Sequence, residues 1–180
     1  MRKVVLTFGL IGGGLLALMV LATAPFHDQI GFDRGVYVGY TTMVVAFLMV
    51  YFGVLSYRDN VAGGAITFGR AVQVGALISL IIMVCYVAVW QVVFYNFMPD
   101  YFDKYGAHII AQAKQAGEPE AVIAEQMQQM AEFKEMFKNP LIFAAFGLIE
   151  PLPVALVFTL VTAGITSRRR RDHLPGAALK

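Results

Sequence analysis

Apolar residues run almost unbroken four times along the chain, over positions 4–24, 36–55, 71–95 and 140–166, and a single acidic or basic residue, Glu150, falls inside those runs. A helix needs about 20 apolar residues to cross ~30 Å of hydrocarbon, and each run reaches that length. The runs do not alternate as half-buried strands do, nor do they carry the turn spacing of an outer-membrane barrel. The pattern therefore predicts an all-α integral membrane protein with four transmembrane helices. Positions 98–138 differ, being charged and rich in helix formers. Gly117-Glu118-Pro119 divides them, with Gly ending one helix and Pro beginning the next. Phe102, Tyr105 and Ile109 share one face of the first half, and Ile123, Met127, Met130 and Phe137 share one face of the second. The expectation is one membrane domain over 1–180 that carries a helical hairpin between its third and fourth spans.

Composition agrees with this class: 58% of residues are hydrophobic and 14% charged, against a soluble average of roughly 45–50% apolar and about 25% charged. The first run has the makings of a signal peptide, since Arg2 and Lys3 precede it and Ala22-Thr23-Ala24 resembles a cleavage site. It is longer than a usual signal core, however, and Pro25 would open the mature chain, so a retained span is expected. With four spans, both termini and the 56–70 loop share a side that carries Arg2, Lys3, Arg58, Arg70, Arg168, Arg169, Arg170, Arg171 and Lys180 against Asp59 and Asp172. The opposite side holds five basic residues and nine acids. The positive-inside rule makes the basic side cytoplasmic, so the hairpin is extracytoplasmic. Arg168 to Arg171 then anchor the topology and meet anionic lipid headgroups. Tyr37, Tyr40, Trp90, Phe94, Tyr95 and Phe97 stand near the other boundary, where aromatic rings favour the headgroup level. A net charge of +2 gives no reason to expect a nucleic-acid partner.

Glu150 is the candidate for chemistry. Counting 17 residues back from Ser167 places it about 25 Å from the cytoplasmic boundary, near the outer edge of the core. The same count from Arg70 reaches Val87, with Trp90 and Gln91 a turn further out, and from Ser56 it reaches Gly39, beside Tyr40 and Thr41. A polar shelf of Glu150, Gln91, Tyr40, Thr41 and Trp90 is expected. Pro151 and Pro153 offer no amide proton to the carbonyls of Gly147 and Ile149, so the helix should break here. Irregular backbone at membrane depth needs protein or water around it, and freed carbonyls beside a carboxylate favour a proton or a cation. Two roles are open to Glu150: a hydrogen bond to Gln91 or Tyr40 that locks two spans, or a ligand or proton site.

Gly9, Gly13 and Ala17 give the first span a small-residue face, suited to close packing within the chain or to a homodimer. Gly63-Gly64 fits a turn between spans better than a phosphate loop, because no Walker spacing is present. His27, His108 and His173 are scattered, and no metalloprotease or nucleophile-elbow motif occurs. His27-Asp28 is an adjacent pair that an interfacial loop explains equally well. One cysteine, Cys85, allows neither an internal disulfide nor a cysteine metal cluster. No enzyme activity, metal or cofactor is expected.

Several landmarks recur in order: FGL at Phe8–Leu10, YFGVLSYRDN at Tyr51–Asn60, GGAITFGRA at Gly63–Ala71, VWQVVFYNFMPDY at Val89–Tyr101, and GLIEPLPVAL at Gly147–Leu156. Together they resemble a family of small four-span bacterial inner-membrane proteins of unknown function. The resemblance implies a fold and a location, with no reaction and no site residues to carry over. The overall expectation is a noncatalytic component of the inner membrane acting through lipid and protein contacts, with a homo-oligomer or another membrane protein as partner. The alternative is a small oligomeric transporter, or a proton- or cation-coupled component, that uses Glu150.

Overall fold

The computed structural model describes residues 1–167, all helices and turns; the Arg168 to Arg171 cluster, His173 and Lys180 lie outside the described residues, as does the side chain of Asp28. Helix α1 (Arg2–Thr23) ends in a 3-10 turn, Ala24–Phe26, and a four-residue helix α2 (His27–Ile30) follows. Gly31 then reverses the chain at φ 74°, a left-handed conformation that favours glycine. Helix α3 spans Phe32–Asn60 and α4 spans Phe68–Phe97. Both outrun their apolar stretches, because hydropathy marks the hydrocarbon whereas the backbone stays helical into the polar region beyond it. Gly63 and Gly64, at φ 70° and 89°, make the turn between them, and the Thr67 hydroxyl caps α4 by accepting from the Arg70 amide at 3.4 Å.

Helices α1, α3 and α4, the first with its terminal turn, are each long and apolar enough to cross a membrane. The last apolar run is broken into α7 (Pro140–Ile149) and α8 (Leu152–Thr166), bent by 41°, and it makes a fourth span if the two are one. This is a membrane protein built as a helical bundle. Helix α4 sits at its centre, packed by α1, α3 and α8, with Leu16, Phe47, Val50, Ile78 and Ile82 fully buried between them. Large apolar side chains such as Leu18 and Leu160 point outward, as lipid-facing positions should, while Gly9, Gly12 and Gly13 of α1 lie inside. A Cβ on Gly9 would stand 2.8 Å from Ile81, and one on Gly13 would stand 2.6 Å from the Cys85 sulfur, so this face of α1 packs on α4. Ala17 lies half-buried one turn on. Ser79 and Thr159 share a 3.2 Å hydrogen bond that ties α4 to α8.

Helices α5 (Tyr101–Gln115) and α6 (Glu120–Met136) pack on each other, with Gly106 against Met130 and Lys134 paired to Asp103 at 2.6 Å. The seam on α6 differs from the expected stripe. Ile123, Gln126, Met130 and Phe137 are half-buried, whereas Met127 is 53% exposed. Steps of three and four are equally helical, and apolarity alone chose the wrong one at this turn. Aromatic rings fasten the pair to the bundle: Phe94 of α4 lies 5.5 Å from Phe102 and 4.8 Å from Phe143, and Phe137 lies 5.2 Å from Phe102 and 5.3 Å from Phe146, between centroids. On the other flank of α5, Phe32 packs among Tyr101, Tyr105 and His108.

Candidate functional site

The break in the fourth apolar run puts Glu150 at the end of α7 and Pro151 at the start of α8. Pro153 falls in the first turn of α8, where an amide proton would have no intrahelical partner, so its presence costs little there. Gly147 lets α7 come close to α4, since a Cβ there would lie 3.3 Å from Val87. The geometry turns the Glu150 carboxylate back toward α4, where its Oε2 accepts a 2.6 Å hydrogen bond from the Tyr86 hydroxyl. Tyr86 is buried, and Trp90 stands one turn further along the same face, its ring edge-on to Tyr86 at 6.4 Å.

Two cavities meet at this pair. The first, of about 370 Å³, lies between the ends of α1, α3 and α4 and is lined by Thr23, His27, Phe32, Gly39, Tyr40 and Thr42 among others. The second, of about 360 Å³, lies between α4, α5 and α7 and is walled by Phe94, Phe102, Tyr105, Phe137, Phe143 and Phe146. Glu150, Tyr86, Trp90 and Tyr101 line both, so the carboxylate stands in the partition between a mixed chamber and an aromatic one. Burial, helped by Tyr105 and Glu150, pushes the Tyr101 phenol up to about 12. Among the described residues, no group of three His, Cys, Asp or Glu side chains is placed to hold a metal ion.

The expected shelf is partly assembled. Glu150, Tyr40 and Trp90 line the first cavity together. Gln91 is directed elsewhere and donates 2.7 Å to the Pro140 carbonyl, pinning the start of α7 to α4. The Thr41 hydroxyl donates to the Tyr37 carbonyl at 2.7 Å on the exposed face of α3, and its neighbour Thr42 faces the cavity instead. Each of these differs by one residue, a rotation of about 100° on a helix, which a count of axial depth cannot resolve. The partner that sequence reasoning missed is Tyr86. The count from Arg70 reached Val87, so the depth was right, and a hydroxyl one residue away was the available signal. His27 also borders the cavity, with its ring 5.4 Å from Phe32 and 5.7 Å from Tyr101.

Neither a curated protein nor a solved structure matches this chain. A family model does match, over residues 7–168, from the first helix through the Glu150 break to the end of α8. The chain therefore belongs to the family described as Protein of unknown function (DUF4199).

Proposed function

We propose that the protein is a noncatalytic component of the bacterial inner membrane, with both termini cytoplasmic, that works through lipid and protein contacts. The observation that carries this reading is the acid-rich α5–α6 pair, fastened to one end of the bundle by the Phe94, Phe102, Phe137 and Phe143 rings. A pair of helices held that firmly presents a fixed surface, and its exposed Met127 and Phe133 are apolar positions a partner would cover. The positive-inside bias supports placing this surface on the extracytoplasmic side of the membrane. Labelling of single introduced cysteines tests the placement. Lys114→Cys should react with an impermeant maleimide on intact spheroplasts, and Lys180→Cys only after the membrane is opened. Reaction of both from the same side rules the topology out. Met127→Glu with Phe133→Glu should leave the bundle folded and release whichever membrane protein copurifies with the wild type; unchanged copurification removes the contact role.

A second reading is favoured by the Tyr86–Glu150 hydrogen bond at a proline-broken helix between two cavities: Glu150 serves as a proton or cation site in a small coupled component. Glu150→Gln keeps shape and hydrogen bonding. In liposomes it should abolish pH-dependent flux without disturbing assembly, and flux equal to wild type would falsify this second reading.

A further inference from the structure

The first cavity is lined by one carboxylate and several aromatic rings. We propose that it binds an organic ammonium group, with the Glu150 carboxylate as counter-ion and the rings of Trp90, Tyr101 and Tyr40 as walls. The proposal rests on the second reading above and names the class of cation. Three observations carry it.

The first is the sign of what remains available. Among the described residues no lysine or arginine lines the cavity. The Tyr86 hydroxyl donates to Glu150, the Thr23 hydroxyl to the Met19 carbonyl at 2.9 Å, and the Thr42 hydroxyl to the Val38 carbonyl at 2.8 Å. These three hydroxyls are engaged, no described residue donates to the second carboxylate oxygen, and Glu150 is the one acidic side chain in a lining whose other titratable groups are His27 and tyrosines, so the site favours positive charge over negative.

The second is the kind of cation. Hard metal ions demand about six to eight oxygen ligands in a close shell. One carboxylate among aromatic rings supplies only one or two of those ligands and leaves the rest to water. A weakly hydrated alkylammonium needs no such shell, because the negative faces of Trp and Tyr rings attract it directly while its carbon atoms pack on their surface.

The third is space. About 370 Å³ lies in the range of small-molecule sites. The room exists because Gly35 and Gly39 turn bare backbone toward it, and a Cβ at either would meet nothing within 4 Å. A quaternary ammonium comes from two sources, the headgroup of a choline lipid and a free choline-type cation, and the chemistry of recognition is the same.

Trp90 is the only tryptophan in the chain and it lines the cavity, so its fluorescence reports occupancy without a label. The full chain is placed in nanodiscs of phosphatidylglycerol, and choline chloride is titrated against sodium chloride at equal ionic strength. Choline should change Trp90 emission saturably and sodium should not. Glu150→Gln should weaken the response by about tenfold or more, and Gly39→Leu, which fills the chamber, should remove it. The neutral carbon analogue of choline, with a quaternary carbon in place of nitrogen, should leave wild-type emission unchanged, a comparison that needs no variant to fold. A response to the carbon analogue equal to that of choline, or one unchanged in Glu150→Gln, overturns the proposal.

Repeating the titration with choline lipid in the nanodisc separates the sources. If that lipid alone reproduces the choline spectrum and choline then adds nothing, the occupant is a headgroup; if choline still acts in full, it is a free cation. Proton flux measured on the same preparation keeps the two readings apart. Flux without choline binding sinks the ligand class, and choline binding without flux sinks only the coupling.

Discussion

The bundle packs in opposite ways at two levels of the same three helices. Around Gly12, Leu16, Phe47 and Ile82 no space remains: the last three are 0% exposed, and a Cβ on Gly12 would lie 2.6 Å from Ile82 and 3.0 Å from the Ala46 carbonyl oxygen. One to two turns along, Thr23 of α1, Gly39 of α3 and Tyr86 of α4 border a chamber of about 370 Å³. Glycine has contrary roles at the two levels. In α1 it brings backbones together, and in α3 it keeps a volume open. Lipid tails are as apolar as the helices, so no hydrophobic force drives a membrane bundle to close its voids, and close packing must be built side chain by side chain. An unfilled level beside the Glu150 carboxylate is therefore a place where packing has yielded to something else.

The largest effect that would break this contrast comes from adding volume at both levels. Gly13→Leu drives a side chain into Cys85, whose Cβ stands 2.7 Å from the new Cβ and cannot move unless α4 moves. It should lower stability by about 3 kcal/mol or more, at the upper end of overpacking costs. Gly39→Leu adds the same atoms where a Cβ meets nothing within 4 Å and should leave stability within about 0.5 kcal/mol. Unfolding in mixed micelles of rising dodecyl sulfate fraction measures both. Equal losses would mean that the chamber is not an open space in the folded protein.

The next effect is smaller and sharpens the comparison at the partition itself. Tyr86→Phe removes the hydroxyl that donates 2.6 Å to Glu150 and keeps the ring that packs by Trp90. Because Glu150 is otherwise exposed to the cavities, water can take over the bond, and the expected loss is about 1 kcal/mol. A loss several times larger in the same titration would show a carboxylate sealed from water and remove the chamber's access to it.

These residues also show what was legible in the chain beforehand. Apolar length announced α1, α3 and α4 and the broken last run, because hydrocarbon thickness fixes length directly. Pro151 and Pro153 announced the break, since a missing amide proton acts locally. Axial depth also came through: Glu150, Trp90 and Tyr40 border one cavity, as a rise of about 1.5 Å per residue places them. Azimuth did not. Thr41 and Thr42 are equally polar neighbours, and which of them faces α4 depends on how α3 is rotated by Phe47, Val50 and Val54 in the core. In a span that is apolar all round, the hydrophobic pattern carries almost no rotational information. The same gap hid Tyr86 behind its neighbour Val87 and misplaced Met127 on α6.

Two small effects complete the series and bear on how each level is held. The Ser79–Thr159 hydrogen bond lies in the packed level between α4 and α8, so Ser79→Ala should cost about 0.6 kcal/mol, the usual worth of such bonds between membrane helices. Lys134→Ala breaks the ion pair with Asp103 that joins α5 to α6, where both side chains are more than 40% exposed, at 43% and 61%. Water and salt screen such a pair, and its two long side chains must be ordered to form it, so the loss should be below about 0.5 kcal/mol and should vanish near 1 M salt. The Ser79 effect should ignore salt altogether. A Lys134→Ala loss that exceeds Ser79→Ala and persists in high salt would mean that electrostatics, rather than Gly106 on Met130 and the Phe102–Phe137 ring pair, holds the α5–α6 pair together.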